Sequence, residues 1–108
     1  MIYVSNAFSL NMLGENFGYV RIIEVDQDRW KMCIRNNHST IVRTIVGHQD
    51  TANILSDVLG MPILFNRESV ILKPGDTLLV AQYSGPRLPE GCMELPEGAC
   101  FRWFMILI

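Results

Sequence analysis

"HQDTANILSDVLG", residues 48–60, is the stretch on which the reading of the fold turns. Ala52, Leu55, Val58 and Leu59 recur at the spacing of one helical face, which predicts an amphipathic helix. Asp50 or Thr51 offers a side-chain acceptor to the first turn, and Gly60 stands where a left-handed residue closes a helix. Pro62 blocks continuation. A helix of this kind has to bury its stripe, and β-rich apolar runs on both sides of it supply the surface.

Upstream, "HSTIVRTIVG" (38–47) reads as a further helix, because Ile41, Val42, Ile45 and Val46 fall at i, i+1, i+4 and i+5. Ser39 or Thr40 would cap it and Gly47 would end it. Residues 2–5 are a short strand, and "YVRIIEVD" (19–26) a second one with Val20, Ile22 and Ile23 inward. Residues 27–37 show no pattern that places them. Downstream, "SVILKPGDTLLVAQYS" (69–84) predicts two strands joined at Pro74-Gly75, and "CFRWFMILI" (100–108) a final buried strand. The expected fold is α/β: a mixed sheet of about five strands with flanking helices, in one small domain over residues 1–108.

Composition narrows the function classes. At 49% hydrophobic and 19% charged, the 108-residue chain is of ordinary globular type. The first residues lack a basic region followed by an apolar stretch of roughly 7–15 residues, so no signal peptide is expected. No apolar run approaches the ~18 residues of a membrane span, so no membrane partner is expected. Three cysteines, Cys33, Cys92 and Cys100, without CxxC spacing argue against a disulfide framework and a zinc site, and favour a cytoplasmic setting. Nine Lys and Arg against eleven Asp and Glu leave a net charge of −2, without the basic stripe that coats long nucleic acid. An anionic ligand would have to be small and met by a few placed arginines.

Four places carry candidate chemistry. His48 lies between Gly47 and the predicted helix start, where free N–H groups and the helix dipole suit a phosphate. There it reads either as a capping histidine or as a general acid poised by helix and phosphate together. Arg87 and Glu90 in "YSGPRLPEG" (83–91) are either an exposed ion pair or a phosphate clamp with an adjacent base. Arg67 in "FNRES" is a basic residue just before a strand. "SNAFSLNMLG" (5–14) interleaves amides and hydroxyls with apolar residues after the first strand; it is either a capped turn or a ligand-gripping pocket. His38, among Asn36, Asn37 and Ser39, reads as a solvated residue ahead of a helix. "LPEG" occurs at 88–91 and 95–98, too short and too few for a repeat fold, and reads as two turns. No HExxH, P-loop, GxGxxG or GxSxG motif is present, so no metal and no cofactor is expected.

Taken in order, "SNAFSLNML", "VGHQDTA" and "PRLPEG" resemble the viral and prophage anti-CRISPR ring nucleases, over nearly the whole chain. That family degrades cyclic tetraadenylate, the second messenger of type III CRISPR defence, in the cytoplasm of the infected cell. The resemblance implies a small α/β fold working as a two-fold symmetric homodimer, with the ring held across the interface. It implies metal-independent cleavage: a ribose 2′-OH attacks the adjacent phosphorus, the 5′-oxygen leaves, and linear products carry a 2′,3′-cyclic phosphate. His48 then corresponds to the general acid, Arg87 to the residue stabilising the phosphorane, and Glu90 to a partner that positions or activates the reacting groups. Ser9 and Asn11 correspond to ligand-binding groups, Arg67 to a further phosphate contact, and Asn6 to a ligand contact or a turn cap. Two copies each of Arg67 and Arg87 would match four phosphates, and Phe8, Leu10, Met12 and Leu13 would pack beneath the loop or across the dimer. Some relatives carry a helix before the last strand, for which "CMELPEG" (92–98) leaves no room. Two other readings use the same residues: a binder that sequesters the ring uncut, and a protein-interaction module.

Overall fold

The computed structural model describes residues 1–37 and 41–108. Among them, five strands form one mixed sheet in the order β2-β5-β4-β1-β3. These are β1 (Ile2–Ser5), β2 (Arg21–Val25), β3 (Val42–Thr44), β4 (Thr77–Ser84) and β5 (Cys100–Leu107), with helices α1 (Gln27–Arg35) and α2 (Gln49–Leu59). β1 pairs in parallel with β3 and β4, while β5 pairs antiparallel with β4 and β2. The expected α/β class and five-stranded mixed sheet are therefore what the chain adopts.

Alternation along β4 and β5 divides the core. Leu79, Ala81, Phe101 and Trp103 face one side, where they join Val4 and the helix residues Trp30, Ile54, Leu55 and Leu59. Trp30 is fully buried, its ring centroid 4.9 Å from that of Trp103. Among the described residues, Leu78, Val80 and Ile106 face the other side with Ile45 and Leu72, covered by Phe8, Met12 and Val20 rather than by α1 or α2. Burial on both faces explains the near-continuous apolar run of β4.

Several expectations need correction. Residues 42–44 are strand, not helix. The positions i, i+1, i+4, i+5 also satisfy strand alternation in a run as β-branched as Ile41-Val42-Arg43-Thr44-Ile45-Val46, and parallel pairing with β1 selects the strand. His38 and the expected caps Ser39 and Thr40 lie outside the described residues. Residues 27–35, unplaced by pattern, form α1: Asp26 Oδ1 accepts from the Arg29 amide at 2.8 Å, and Trp30, Cys33 and Ile34 turn to the core. Only the second half of 69–84 is a strand; Leu72 makes one isolated bridge to Leu13. The Pro74-Gly75 turn does form, with the Lys73 amide donating to Asp76 Oδ2 at 2.8 Å and Gly75 at φ +95°. Ile22 is 56% exposed rather than inward, because β2 is an edge strand and Ile22 lies on the face without helices. Residues 92–98 contain no helix, as their sequence required.

Candidate functional site

Parallel pairing sends β1, β3 and β4 in one direction, so their carboxyl ends converge, the usual place for ligands in open α/β sheets. Asn6 follows β1, Gly47 and His48 join β3 to α2, and Gln82 and Tyr83 close β4. An open cleft of about 1060 Å³ forms there, lined by Asn6, His48, Asp50, Thr51, Gln82, Tyr83, Gly85, Arg87, Leu88, Pro89 and Glu90. Three segments far apart in sequence thus bring His48, Arg87, Glu90 and Asn6 to one place. The sequence marks Asp50 and Thr51 only as possible caps and does not mark Gln82 and Tyr83, although a helix's first turn and a strand's carboxyl end are both signals for such a place.

His48, not Asp50 or Thr51, is the N-cap of α2. Its Nδ1 accepts from the Thr51 amide at 3.3 Å, so a neutral ring carries its proton on Nε2. Thr51 Oγ1 lies at the same 3.3 Å from Nδ1, and can accept from that nitrogen when the ring is charged. Capping and proton donation are therefore compatible roles for one exposed imidazole, with Thr51 serving both charge states. Gly60 at φ +64° closes the helix as expected.

The loop after β4 is held at several points. Gly85 crosses Ala99 so closely that an added Cβ would stand 2.7 Å from the Ala99 Cα, which only glycine permits. The Tyr83 hydroxyl donates to the Pro86 carbonyl, and the Cys92 amide to the Pro89 carbonyl at 3.1 Å. Leu88 packs against the main core. The Gly91 amide donates to Asp50 Oδ2 at 3.2 Å, joining the loop to the first turn of α2. Arg87 and Glu90 are exposed between these anchors.

Ser9 and Asn11 line a neighbouring groove of about 410 Å³ that shares Asn6 with the cleft. Ser9 Oγ accepts from the Asn11 amide at 3.3 Å and caps a single 3-10 turn, Leu10–Met12, so the capped-turn reading of this loop holds locally. Phe8 and Met12 pack beneath the loop as expected, whereas Leu10 is 78% exposed. Arg67 lines neither hollow; its side chain passes Gly47, 3.5 Å from where a Cβ there would be. Among the described residues no three His, Cys, Asp or Glu side chains gather as metal ligands, and no helix is long and apolar enough to cross a membrane. All three cysteines are free.

A family model described as STIV B116-like matches residues 2–98, spanning all three motifs and β1 to β4. Among solved structures the chain is similar to B116 of Sulfolobus turreted icosahedral virus (STIV). The TM-score is 0.84 and the identity 24%, over 99% of this chain and 98% of that one. At that identity the likeness speaks for the fold. Among curated proteins nothing matches.

Proposed function

The chain belongs to the STIV B116-like family, named for a viral protein, and from that premise and the cleft we propose that it is a ring nuclease that cleaves cyclic tetraadenylate without a metal. Such an activity would switch off type III CRISPR signalling in the host cytoplasm. The observation that carries the reading is the convergence of His48, Arg87, Glu90 and Asn6 on one open cleft.

In this reading a ribose 2′-OH attacks the neighbouring phosphorus, a new 2′-oxygen–phosphorus bond forms, and the bond to the 5′-oxygen breaks. His48 gives its proton to the departing 5′-oxygen. Arg87 neutralises the phosphorane with charge-assisted hydrogen bonds, and Glu90 positions or activates the 2′-hydroxyl, whose proton passes to the Glu90 carboxylate or to water. Asn6, Ser9 and Asn11 hold the ring across the two adjoining hollows, and Arg67 adds a phosphate contact beside Gly47.

A homodimer suits this ligand, because a two-fold symmetric ring presents the same chemistry to each protomer. The face without helices offers a surface for it: Phe8, Ile22, Val80, Phe104 and Ile106 line a shallow apolar groove together with Gln82. Gln82 also lines the cleft, so a partner on this face would sit next to the site. Sedimentation showing a monomer at micromolar concentration would remove the shared site.

Labelled cyclic tetraadenylate incubated with the purified protein in chelator tests the reading. Linear products ending in a 2′,3′-cyclic phosphate support it, whereas inert ring overturns it. The capping bond of His48 favours one other reading, a protein that binds the ring uncut. Tight binding without turnover would select that one, and neither binding nor turnover would leave a protein-interaction module.

A further inference from the structure

Asp50 presents a puzzle within the cleft. A carboxylate in the first turn of α2 faces a space that the reading above fills with phosphates, and like charge there weakens anion binding. Its hydrogen bond accounts for its presence. Asp50 Oδ2 accepts from the amide of Gly91, the residue directly after Glu90, across 41 residues of sequence at 3.2 Å. Gly91 has φ +77°, a left-handed conformation that turns the chain just past Glu90. At the loop's other end Tyr83 fixes Pro86. Arg87 and Glu90 therefore sit on a span pinned at one end to β4 and at the other to the helix that His48 caps.

We propose that Asp50 is a positioning residue: through Gly91 it sets Glu90, and with it Arg87, in register with His48. The inference rests on the ring-nuclease reading. A hydrogen bond to an ionised acceptor is stronger than one to a neutral group, and a misplacement of about 1 Å can cost on the order of 10²-fold in rate. Asp50 thus trades some ligand affinity for geometry at the reacting phosphate.

Two variants of the full chain separate the parts of this inference. Asp50→Ala removes the acceptor; Asp50→Asn keeps an acceptor oxygen and removes the charge. NMR-detected amide exchange, without ligand, should rise at Gly91 in Asp50→Ala, while the buried amides of α2 stay protected and show the fold intact. In Asp50→Asn the Gly91 amide should regain most of its protection. With saturating cyclic tetraadenylate, Asp50→Ala should lower the single-turnover rate by roughly tenfold to a hundredfold. Asp50→Asn should recover most of that rate, and should bind the ring at least as tightly as the wild type because a like charge is gone. Unchanged exchange at Gly91 in Asp50→Ala overturns the tether. Raised exchange with an unchanged rate overturns its positioning role. A wild-type protein inert toward the ring sinks the functional reading and the rate argument with it, and the exchange measurement then still decides the tether on its own.

Discussion

The two helices lie on the same face of the sheet and are capped by different chemistry. α1 begins at Asp26, whose carboxylate accepts from the Arg29 amide at 2.8 Å. α2 begins at His48, whose Nδ1 accepts from the Thr51 amide at a longer 3.3 Å. Asp is among the residues that cap best; histidine is not. The head of α1 lies beside the edge strand β2, whereas the head of α2 opens into the cleft. Capping alone explains Asp26. It does not explain why a weaker cap stands where β3 hands over to α2, and the proton transfer proposed above would.

Replacing the caps puts the largest expected effect on this difference. His48→Ala should bind the ring yet cleave it roughly 10²–10⁴-fold more slowly in single turnover, the usual contribution of a general acid or base. His48→Asn, which restores a good cap, should match wild-type stability and remain as slow as His48→Ala. Asp26→Ala should behave in the opposite way, losing about 1 kcal/mol of stability with the cleavage rate intact. A ring whose leaving 5′-oxygen is replaced by sulfur needs little protonation, so it should largely rescue His48→Ala. Wild-type cleavage by His48→Ala would reduce His48 to a cap and erase the contrast.

Next in size is the packing that holds α1 to the sheet. Trp30 is fully buried against Trp103, so Trp30→Ala should cost about 3–5 kcal/mol. Urea unfolding measures it directly. Under native conditions the variant's cleft should still bind the ring, since Trp30 lines no part of it. A loss of no more than about 0.5 kcal/mol, the usual scatter of a surface change, would mean that α1 contributes little to the core.

Why α2 and the late strands were legible while α1 and β3 were not follows from the same residues. α2 carries a wide apolar stripe and a glycine that ends it, and β4 and β5 are buried long enough for their content to decide. In α1 only Trp30, Cys33 and Ile34 mark the inner face within a polar segment, although Asp26 was a readable cap. β3 is three residues long and owes its state to pairing with β1, a long-range contact that no local period reveals. The site divides similarly. His48, Arg87, Glu90 and Asn6 could be marked because each stands beside a strand end or helix start. The sequence marks Asp50 and Thr51 only as caps, because their partners, Gly91 and the His48 ring, become visible once the chain is folded.

The arginines sharpen the contrast between cleft and scaffold at a smaller scale. Arg87 lines the cleft, and a charge-assisted hydrogen bond is worth about 1.5–3 kcal/mol, so Arg87→Ala should weaken ring binding on the order of tenfold or more. Arg67 lines neither hollow and lies against Gly47, so Arg67→Ala should weaken binding less. Titration of labelled ring into each variant orders the two, and unchanged affinity in both would move the ligand away from these loops.

The smallest expected effect lies on β2, just ahead of the α1 cap. Arg102 donates to both carboxylate oxygens of Glu24, at 2.9 and 2.8 Å, across the β2–β5 pair. That hydrogen bonding holds the Glu24 carboxyl below its ordinary range; desolvation opposes it, and the positive charge of Arg102 adds a smaller lowering. The sign follows from the two states. With its folded value depressed, Glu24 stabilises the fold above the unfolded carboxyl value, and the contribution disappears as pH falls through the lowered folded value. Both partners are well exposed, so solvent and salt screen the pair and the contribution is small. Urea midpoints of wild type and Glu24→Gln should differ slightly near pH 7 and converge in acid once pH falls below the lowered folded value, and added salt should narrow the neutral-pH gap. The ring-cleavage rate should not follow this titration, because Glu24 belongs to the end of the sheet that starts α1. Identical midpoints near neutrality would mean the bidentate pair contributes nothing. A cleavage rate that tracked Glu24→Gln would mean the two helix heads are coupled after all.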